Sequence, residues 1–385
     1  MINNEIKKNK VFLMTFGCQM NVRDSEVIAG ILGKSGYRIT DKEDKADVVI
    51  LNTCSVRQHA EDKVWSAAGR YSKLKVKPLM GIAGCMAQNY KEKIFERSPG
   101  VDFVVGPGDI AKIPEIIKSL TETRIGTVPK ERGQSLFLRK IWETDAKNRP
   151  DEIYHTGFYE DKDHAYVVIS EGCSNFCSYC VVPYVRGGLR HRDHKDVLNE
   201  IEDAARKGIT RITLLGQNVN AYRDFVGLLT LVNGVKGIKE FSFITSHPKD
   251  TSVELFKAMA ELEKLKKYLH LPAQSGSDRI LKLMNRGYTR KFYLDLADKY
   301  RKMVRNAVLT ADIIVGFPSE TENDFMDTYN LVKEAEFDAA YIFKYSPRPN
   351  TEAAKLPDDV EKKEKERRHR LILDLQKEIS KNKKR

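Results

Sequence analysis

The sequence predicts an α/β protein in two parts, with a Rossmann-like parallel-sheet domain at the N-terminus and a partial (β/α)6 barrel after it. Short apolar runs alternate with helical patterns in both halves of the chain, which is typical of parallel sheets covered by helices. Six cysteines lie just beyond the ends of such runs. Because ligands bind at the carboxyl edge of parallel sheets, these cysteines are the first candidates for a functional site.

Four apolar runs near the N-terminus are the predicted strands of the first domain. They are "VFLMTF", "DVVILN", "PLMGIAG" and "VDFVVG", at 11–16, 47–52, 78–84 and 101–106. Helical patterns separate them; "DSEVIAGILGKSG", for example, opens on residues that cap helices and closes on glycine. We assign residues 10–120 to this domain and predict that the polar, weakly periodic stretch 121–160 is a connection.

A second alternation begins near residue 161 and continues to about residue 360. Its six candidate strands are 165–170, 211–216, 241–245, 267–271, 311–317 and 339–345. Six β-α units favour a curved or partly closed barrel with its site at the strand ends. An open doubly wound sheet is the alternative, and apolar periodicity alone does not separate the two. Residues 361–385 are predicted to form a basic C-terminal helix.

Composition narrows the class of protein. Hydrophobic residues make up 41% and charged residues 31% of the 385 positions, as in soluble globular proteins. No apolar run approaches the length of a membrane span, and the basic start leads into a strand rather than a signal peptide. We therefore expect a cytoplasmic protein whose cysteines are ligands or catalytic groups. The net charge of +12 favours a polyanionic partner, although a solvated basic surface would also explain it.

Three cysteines follow predicted strands of the first domain. Cys18, Cys54 and Cys85 come one or two residues after the first, second and third apolar runs. Since the carboxyl ends of parallel strands share one edge of the sheet, these thiols are expected to converge. The alternative is that they are three buried cysteines acting as small hydrophobes, but that would place them inside the strands.

The other three cysteines form one compact motif, Cys173-x₃-Cys177-x₂-Cys180, after the first strand of the second half. Thiolate is the preferred ligand of iron–sulfur clusters, and a cubane held by three cysteines leaves one iron open to exogenous chemistry. A zinc site would need a fourth ligand. Three histidines could be recruited for it: His164, His191 and His194.

The cysteine motif, with Tyr179 just before its last cysteine, resembles the radical S-adenosylmethionine (SAM) superfamily. Further segments along nearly the whole chain are similar to its methylthiotransferases. These are "TFGCQMNVRDSE", "LNTCSVRQHAEDK", "AGCMAQ", "GCSNFCSYCVVPYVRG", "LLGQNVNAY", "TSHPKD", "LPAQSGSDRILKLMNRGYT", "IIVGFPSETENDF" and "YSPRPNTEAA". The segments "GCQMNVRDSE" and "GCMAQ" point to the MiaB-like branch, which converts an isopentenylated adenosine of tRNA to its 2-methylthio form.

The resemblance implies two 4Fe–4S clusters, and it assigns every cysteine of the sequence. The cluster at Cys173, Cys177 and Cys180 would bind and reductively cleave SAM, and the cluster at the other three cysteines would carry or donate sulfur. Radical chemistry suits the reaction because an aromatic C–H bond has no useful acidity. Two related reactions stay open as alternatives, the methylthiolation of threonylcarbamoyl-adenosine in tRNA and that of a ribosomal-protein aspartate. A non-enzymatic iron–sulfur sensor would explain the cysteines but not the SAM-type loops.

The resemblance also suggests SAM contacts at the strand ends of the second domain, where ordinary turn-forming or loop-bracing roles are the alternative. The candidates are Tyr179, Gln217, Asn218, Asn220, Ser246, Gln274 and Asp312.

Partners follow from the charge and from the resemblance. Three arginines directly after the cysteine motif are candidates for contacts with RNA phosphate: Arg186, Arg190 and Arg192. We expect a tRNA anticodon loop as substrate, with its base extruded from the stack, an electron donor such as flavodoxin or ferredoxin, and a monomeric enzyme without membrane contact. The family usually adds a C-terminal RNA-binding β-barrel, and we expect this chain to lack it.

Overall fold

The structure, a computed structural model, describes residues 9–56, 58–125, 140–144 and 150–383. The chain forms two compact units. Unit 1 consists of Met1–Glu160 together with Tyr184–Gly187, and unit 2 consists of Asp161–Pro183 and Gly188–Arg385. A short segment that follows the Cys173–Cys180 motif in sequence therefore belongs to unit 1.

Unit 1 is a parallel sheet with helices. Its strands are β1 (Lys10–Phe16), β2 (Arg38–Ile39), β3 (Val48–Thr53), β4 (Leu79–Gly84), β5 (Phe103–Val105) and β6 (Ile141–Glu143). Its helices are α1 (Gln19–Lys34), α2 (Gln58–Ser72), α3 (Cys85–Tyr90), α4 (Lys93–Arg97) and α5 (Ile113–Ile125).

The strand order of unit 1 is β2-β1-β3-β4-β5-β6, and every pairing is parallel. β3 and β4 are buried along their whole length, because helices cover both faces of such a sheet and favour continuous apolar runs. The order reverses between β1 and β3, which is where doubly wound sheets bind ligands. The expected Rossmann-like parallel sheet is confirmed, with the strand order of the flavodoxin-like class.

The described part of 121–160, expected to be a connection, adds β6 to this sheet. β6 is an edge strand, and its Trp142 side chain is half exposed. Farther along, Arg23 on α1 donates to the carbonyl oxygens of Tyr154 (2.8 Å) and Phe158 (3.2 Å). Hydrophobic periodicity did not predict β6 or the segment bound by Arg23. An edge strand needs no continuous apolar run, and that segment is held through its backbone carbonyl groups.

Unit 2 alternates strands and helices. Its strands are β7 (His164–Val168), β8 (Ser170–Glu171), β9 (Arg190–His191), β10 (Arg211–Leu215), β11 (Glu240–Phe243), β12 (Tyr268–His270), β13 (Val308–Val315) and β14 (Ala339–Lys344). The helices are α6 (Val182–Arg186), which ends within unit 1, and then α7 (His194–Arg206), α8 (Phe225–Gly234), α9 (Val253–Glu261), α10 (Asp278–Leu283), α11 (Arg290–Met303), α12 (Glu322–Ala335) and α13 (Lys362–Lys383).

The six long strands of unit 2 follow one another in space as they do in sequence. Two parallel ladders, β7-β10-β11 and β12-β13-β14, meet where Phe241 bridges Leu265. Each strand therefore lies beside the preceding one, as in a barrel, and the order never reverses as it would in a doubly wound sheet. Within the described residues β14 does not pair with β7, so the barrel is partial. The expected partial (β/α)6 barrel is confirmed.

Helix α13, which the sequence predicts as a basic terminal helix, packs on unit 2. Its Ile372 is fully buried, and Arg368 pairs with the buried carboxylate of Glu320 at 2.7 Å. Gln376 donates to the carbonyl oxygen of Phe337 at 2.8 Å. In the described parts of the chain, no helix is both long and apolar enough to cross a membrane.

Candidate functional site

The first cysteine trio lies at the carboxyl edge of the unit 1 sheet. Cys18 is the residue before α1, Cys54 follows β3, and Cys85 is the first residue of α3. Cys18 and Cys54 are hydrogen-bonded through their thiols, and Cys85 is close enough to affect the pKa of Cys54. The expected convergence of three thiols, remote in sequence, is therefore present in the structure.

Two glycines allow the backbone to approach this closely. A Cβ on Gly17 would lie 2.7 Å from the Cβ of Cys54, and one on Gly84 would lie 2.4 Å from Oδ1 of Asn52. Gly84 also has φ +89°, which L side chains rarely adopt. A larger residue at either position would push apart the strand ends that carry Cys18 and Cys85.

Two buried asparagines brace the same edge. Asn52 donates through Nδ2 to the carbonyl oxygen of Asn21 and to Oγ of Ser25, both at 2.8 Å. Asn21 in turn lies with Oδ1 3.5 Å from the thiol of Cys18, and the amide of Val56 donates to Sγ of Cys54 at 3.2 Å. This polar network fixes the orientation of the sulfur atoms. Sequence patterning gave no sign of it, because each asparagine alone looks like a turn former.

Arg186 completes the surroundings of the first trio. Its Nε lies 3.2 Å from Sγ of Cys85, and its Nη2 lies 2.5 Å from Oδ2 of buried Asp24. The Cys54 hydrogen bond and, less strongly, the Arg186 charge lower the pKa of Cys18 to about 6, although burial opposes them. The Arg186 side chain is only 3% exposed. We therefore assign Arg186 to this internal ion pair and not to a surface for RNA phosphate.

The second trio lies on a loop of unit 2 whose base is closed by β8 and β9. The loop turns through a hydrogen bond from the amide of Cys180 to the carbonyl oxygen of Cys177, at 2.9 Å. Ser178 docks the loop on the end of α10, because its Oγ donates to the carbonyl oxygen of Leu283 at 2.8 Å and its amide to that of Met284 at 3.0 Å. The thiols are thus presented on a braced loop, just beyond the carboxyl end of β7.

Burial favours the protonated form of two of these thiols, Cys173 and Cys180. It raises the pKa of Cys180 to about 12 and also raises that of Cys173. Metal ligation requires thiolates, so binding iron here must displace protons. Among the described residues, no three His, Cys, Asp or Glu side chains are arranged to hold a single metal ion. A cubane makes a different demand, because its cysteines each bind a different iron atom, and an all-thiol donor set suits it.

Arg286, which the sequence interpretation missed, lies against the second trio. Its Nη1 lies 3.4 Å from Sγ of Cys177 and 3.3 Å from the hydroxyl of Tyr179. It also donates to the hydroxyl of Tyr288 (3.0 Å) and to the carbonyl oxygen of Pro272 (3.0 Å). Tyr179 thus interacts with the arginine through its hydroxyl, and its ring packs against a small apolar cluster. The segment "LPAQSGSDRILKLMNRGYT" contains this arginine, but no spacing rule singles it out.

Several buried polar atoms at the strand ends of unit 2 have no hydrogen-bond partner among the described residues. They come from the segments after β7, β10 and β11 and from the loop after β12: Ser170 Oγ, Gln217 Oε1, Asn218 Oδ1, Ser246 Oγ, His247 Nε2 and Gln274 Oε1. An unsatisfied buried polar group costs about 1–3 kcal/mol, so this many at one edge indicates a site built for a polar ligand. Four of the seven proposed SAM contacts belong to this set.

His247 has a defined tautomer in this set. Burial lowers its pKa to about 2, so the imidazole is neutral. Its Nδ1 accepts from the amide of Lys249 at 3.2 Å, which leaves the proton on Nε2. The Nε2–H group of His247 is therefore a hydrogen-bond donor, whereas the amide oxygens of Gln217, Asn218 and Gln274 are acceptors. This edge of unit 2 offers a ligand both donors and acceptors.

Two other proposed SAM contacts have different surroundings. Asn220 uses both amide hydrogens, on the carbonyl oxygen of His247 (3.0 Å) and Oγ1 of Thr251 (2.9 Å), and its Oδ1 accepts from the amide of His247 at 2.8 Å. It braces two strand-end loops. Asp312 lies within β13, 3.5 Å from Nε2 of His270.

The remaining arginines of the cysteine-loop region also have internal partners. Arg192 is 1% exposed and pairs with Glu200 at 2.5 Å and with Asp196. Arg190 is one-quarter exposed and pairs with Glu171 at 3.0 Å across the β8–β9 ladder. The burial of Arg192 assigns it to the scaffold, while Arg190 stays partly exposed.

Comparisons with known proteins match both units. Residues 10–106 match the model described as uncharacterized protein family UPF0004, and residues 167–332 match the radical SAM superfamily. A tRNA-2-methylthio-N(6)-dimethylallyladenosine synthase of Clostridium novyi is 44% identical over 97% of this chain and 82% of its own length. The synthase of the same name from Moorella thermoacetica is 40% identical over 97% of this chain and 84% of its own.

Solved structures support the fold. The radical S-adenosylmethionine methyltransferase TsrM of Kitasatospora setae, with cobalamin and a [4Fe-4S] cluster bound, superimposes with a TM-score of 0.61 at 14% identity. The alignment covers 90% of this chain and 77% of that one. The cobalamin-dependent S-adenosylmethionine radical enzyme OxsB gives a TM-score of 0.55 at 12% identity, over 98% of this chain and 56% of that one. At these identities the likeness concerns the fold alone.

Proposed function

The chain belongs to the family of tRNA-2-methylthio-N(6)-dimethylallyladenosine synthases, and we propose that it adds a methylthio group to C2 of an isopentenyl-modified adenosine next to the anticodon of tRNA. The observation that carries the proposal is the pair of cysteine trios, each gathered at the carboxyl end of strands in its own unit. The identity of the relatives favours this reaction over the methylthiolation of threonylcarbamoyl-adenosine or of a ribosomal-protein aspartate.

Each trio supplies the donors for one 4Fe–4S cluster. A radical SAM protein carries one such cluster together with SAM, and Cys173, Cys177 and Cys180 are the residues that would hold it. We assign a second cluster to Cys18, Cys54 and Cys85, supported by their convergence and by the thiol-directed contacts of Asn21, Val56 and Arg186. In both sites, hydrogen bonds within the protein hold the segments that carry the thiols.

The strand-end polar atoms of unit 2 are the proposed SAM site. Gln217, Asn218 and Gln274 present carbonyl oxygens, which suit an ammonium group, and Ser246 and His247 present donors for a carboxylate or ribose oxygen. When bound, SAM and the reduced cluster supply a carbon-centred radical that can abstract hydrogen from an aromatic C–H bond. The protein's own residues orient the cofactor. Asn220 holds the loop that carries His247, and Asp312 stays a candidate contact on the inner face of β13.

A truncation at Ser246 tests this assignment. Its Oγ is buried without a partner among the described residues, so Ser246→Ala should not lower the free energy of unfolding. SAM binding should weaken by up to about tenfold, because one hydrogen bond contributes roughly 1 kcal/mol. Calorimetric titration of the reconstituted enzyme and a denaturant curve measure the two quantities.

Asn220→Ala is the matched comparison for that variant. Its amide makes three hydrogen bonds within the protein, so the free energy of unfolding should fall by about 1–3 kcal/mol. If Ser246→Ala destabilises the protein as Asn220→Ala does, and SAM affinity is unchanged, Ser246 belongs to the scaffold.

We propose that a tRNA anticodon loop is the polyanionic partner of this enzyme. We also propose that the enzyme is cytoplasmic and works as a monomer, with flavodoxin or ferredoxin as its electron donor. Affinity for an anticodon stem-loop should fall steeply with salt, because binding to phosphate releases counterions. Arg190→Ala should weaken binding and reduce the slope of log affinity against log salt by about one. Filter binding between low and physiological salt measures both.

Arg206→Ala is the control for this RNA prediction, because Arg206 is an exposed arginine on α7, remote from the loop in sequence. It should change neither affinity nor slope. Iron content must be equal in all three proteins, since Arg190 also pairs with Glu171 at the base of the cysteine loop. An unchanged slope in Arg190→Ala would assign that arginine to the scaffold alone.

The function itself is tested by two measurements on anaerobically reconstituted protein. Iron and sulfide analysis should give about eight irons per chain, from two cubane clusters. Mass spectrometry of nucleosides from isopentenylated tRNA treated with the enzyme, SAM and dithionite should show the methylthio product. Product only from threonylcarbamoyl-adenosine tRNA, or no tRNA product at all, would overturn the assignment.

A further inference from the structure

Arg286 is a buried cation with an unusual set of partners. The residue is 5% exposed, and its five N–H donors face two tyrosine hydroxyls, one carbonyl oxygen and the sulfur of Cys177. None of these groups is a carboxylate. Burying an ion without an opposite charge costs several kcal/mol, so this position calls for an anion that the protein's own side chains do not supply.

Three other arginines with buried side chains provide a contrast. Arg192 pairs with Glu200, Arg186 with Asp24, and Arg368 with Glu320. Each lies against a carboxylate that compensates its charge. Arg286 differs from all three, and it points its Nη1 at a cysteine of the proposed cluster site.

A cubane cluster held by three thiolates is such an anion. The negative charge of the three thiolates exceeds the positive charge of the oxidised core, and one-electron reduction makes the whole assembly more negative. We propose that Arg286 is the countercharge of the cluster at Cys173, Cys177 and Cys180 and a positioning residue that raises its reduction potential through an N–H···S hydrogen bond to Cys177. This inference rests on the proposed function, because it requires that cluster.

The geometry gives the direction of the effect. Net charge and hydrogen bonds to the sulfur atoms are among the factors that set the potential of iron–sulfur clusters. A fixed cation stabilises the more negative, reduced state, so its removal should make reduction harder. Tyr179 and Tyr288 hold the guanidinium in place through their hydroxyls, and the Pro272 carbonyl anchors its other end.

The test is an EPR-monitored redox titration, without SAM, of full-length protein in which Cys18, Cys54 and Cys85 are replaced by alanine. This background leaves one cluster to observe, and iron analysis should give about four irons per chain. Arg286→Met should shift the midpoint potential to a more negative value. Arg286→Lys keeps the charge but loses the planar fork, so its shift should be in the same direction and smaller.

Arg192→Lys is the matched control, since Arg192 is equally buried but contacts carboxylates and a carbonyl oxygen. Arg192→Lys should lower the free energy of unfolding and leave the midpoint potential unchanged.

If Arg286→Met fails to hold iron, the midpoint potential of Arg286→Lys is the deciding measurement. An unchanged potential in the Arg286 variants overturns the inference, as does an equal shift in Arg192→Lys. Weaker SAM binding without a change in the SAM-free potential would also overturn it, and would make Arg286 a contact of SAM instead. If the variant that lacks only Cys18, Cys54 and Cys85 assembles no cluster, that result contradicts the proposed function itself and not the role of Arg286.

Discussion

Replacing Cys173, Cys177 and Cys180 together by alanine is expected to abolish both the reductive cleavage of SAM and the formation of methylthio-adenosine. These three residues are the only thiols of unit 2, and they lie beside the strand ends that carry the unpartnered polar atoms. Without them SAM has no reducible centre in that unit. Chromatography of 5′-deoxyadenosine and mass spectrometry of tRNA nucleosides should both fall to the background of a reaction without enzyme.

Two controls make the loss interpretable. Iron content should fall to about half, because the cluster proposed at the other trio would remain, and affinity for the anticodon stem-loop should stay close to that of the parent protein. Dithionite must be the reductant, since a missing electron donor would imitate a dead site. A variant that keeps its full iron content, or that still cleaves SAM, contradicts the assignment of this trio.

The placement of the cysteines could be predicted from the sequence because it depends on topology alone. The apolar runs before Cys18, Cys54 and Cys85 form parallel strands, and parallel strands end at one edge regardless of side-chain detail. The apolar runs predict β3 and β4 directly, because both strands are buried along their whole length. Hydrophobic periodicity could not separate a barrel from an open sheet, because that difference lies in which strands are neighbours.

Burial of charge could not be predicted in the same way. Arg186, Arg190 and Arg192 follow the cysteine motif as one basic cluster, which suggests a surface for RNA. In the structure Asp24 and Glu200 neutralise the buried Arg186 and Arg192, whereas Arg190 stays one-quarter exposed beside Glu171. Asp24 lies more than a hundred residues from its partner Arg186. Ion pairs that span such separations leave no local pattern.

Asparagines at the strand ends illustrate the same limit on a smaller scale. Asn218 and Asn220 are two residues apart and equally plausible as ligand contacts. Asn218 keeps Oδ1 unpartnered among the described residues, whereas Asn220 satisfies its amide within the protein. Only the positions of His247 and Thr251 distinguish them. Ser319 has a φ of +66°, in the left-handed region that favours glycine, and the sequence pattern gave no sign of this conformation.

Replacing Cys18, Cys54 and Cys85 by alanine is expected to separate the two activities. Methylthio-adenosine should disappear, while SAM cleavage to 5′-deoxyadenosine should continue at a rate close to that of the parent protein. The reason is the distribution of polar groups: unit 2 holds both the second trio and the proposed SAM contacts, whereas the surroundings of the first trio are directed at its sulfur atoms. The same chromatographic and nucleoside assays, run side by side, measure both activities.

The control for this separation is the state of the remaining cluster. Iron should fall to about four per chain, and the EPR signal of the reduced cluster should still change when SAM is added, because Cys173, Cys177 and Cys180 would still hold the cluster that binds the cofactor. Asn52→Ala offers a milder comparison, because it removes the hydrogen bonds to Asn21 and Ser25 without removing a thiol. This variant should lower the rate of methylthiolation more than the rate of SAM cleavage. If the first-trio variant cannot cleave SAM although its second cluster is intact by both measures, the division of labour is wrong, and the two clusters must act as one redox unit.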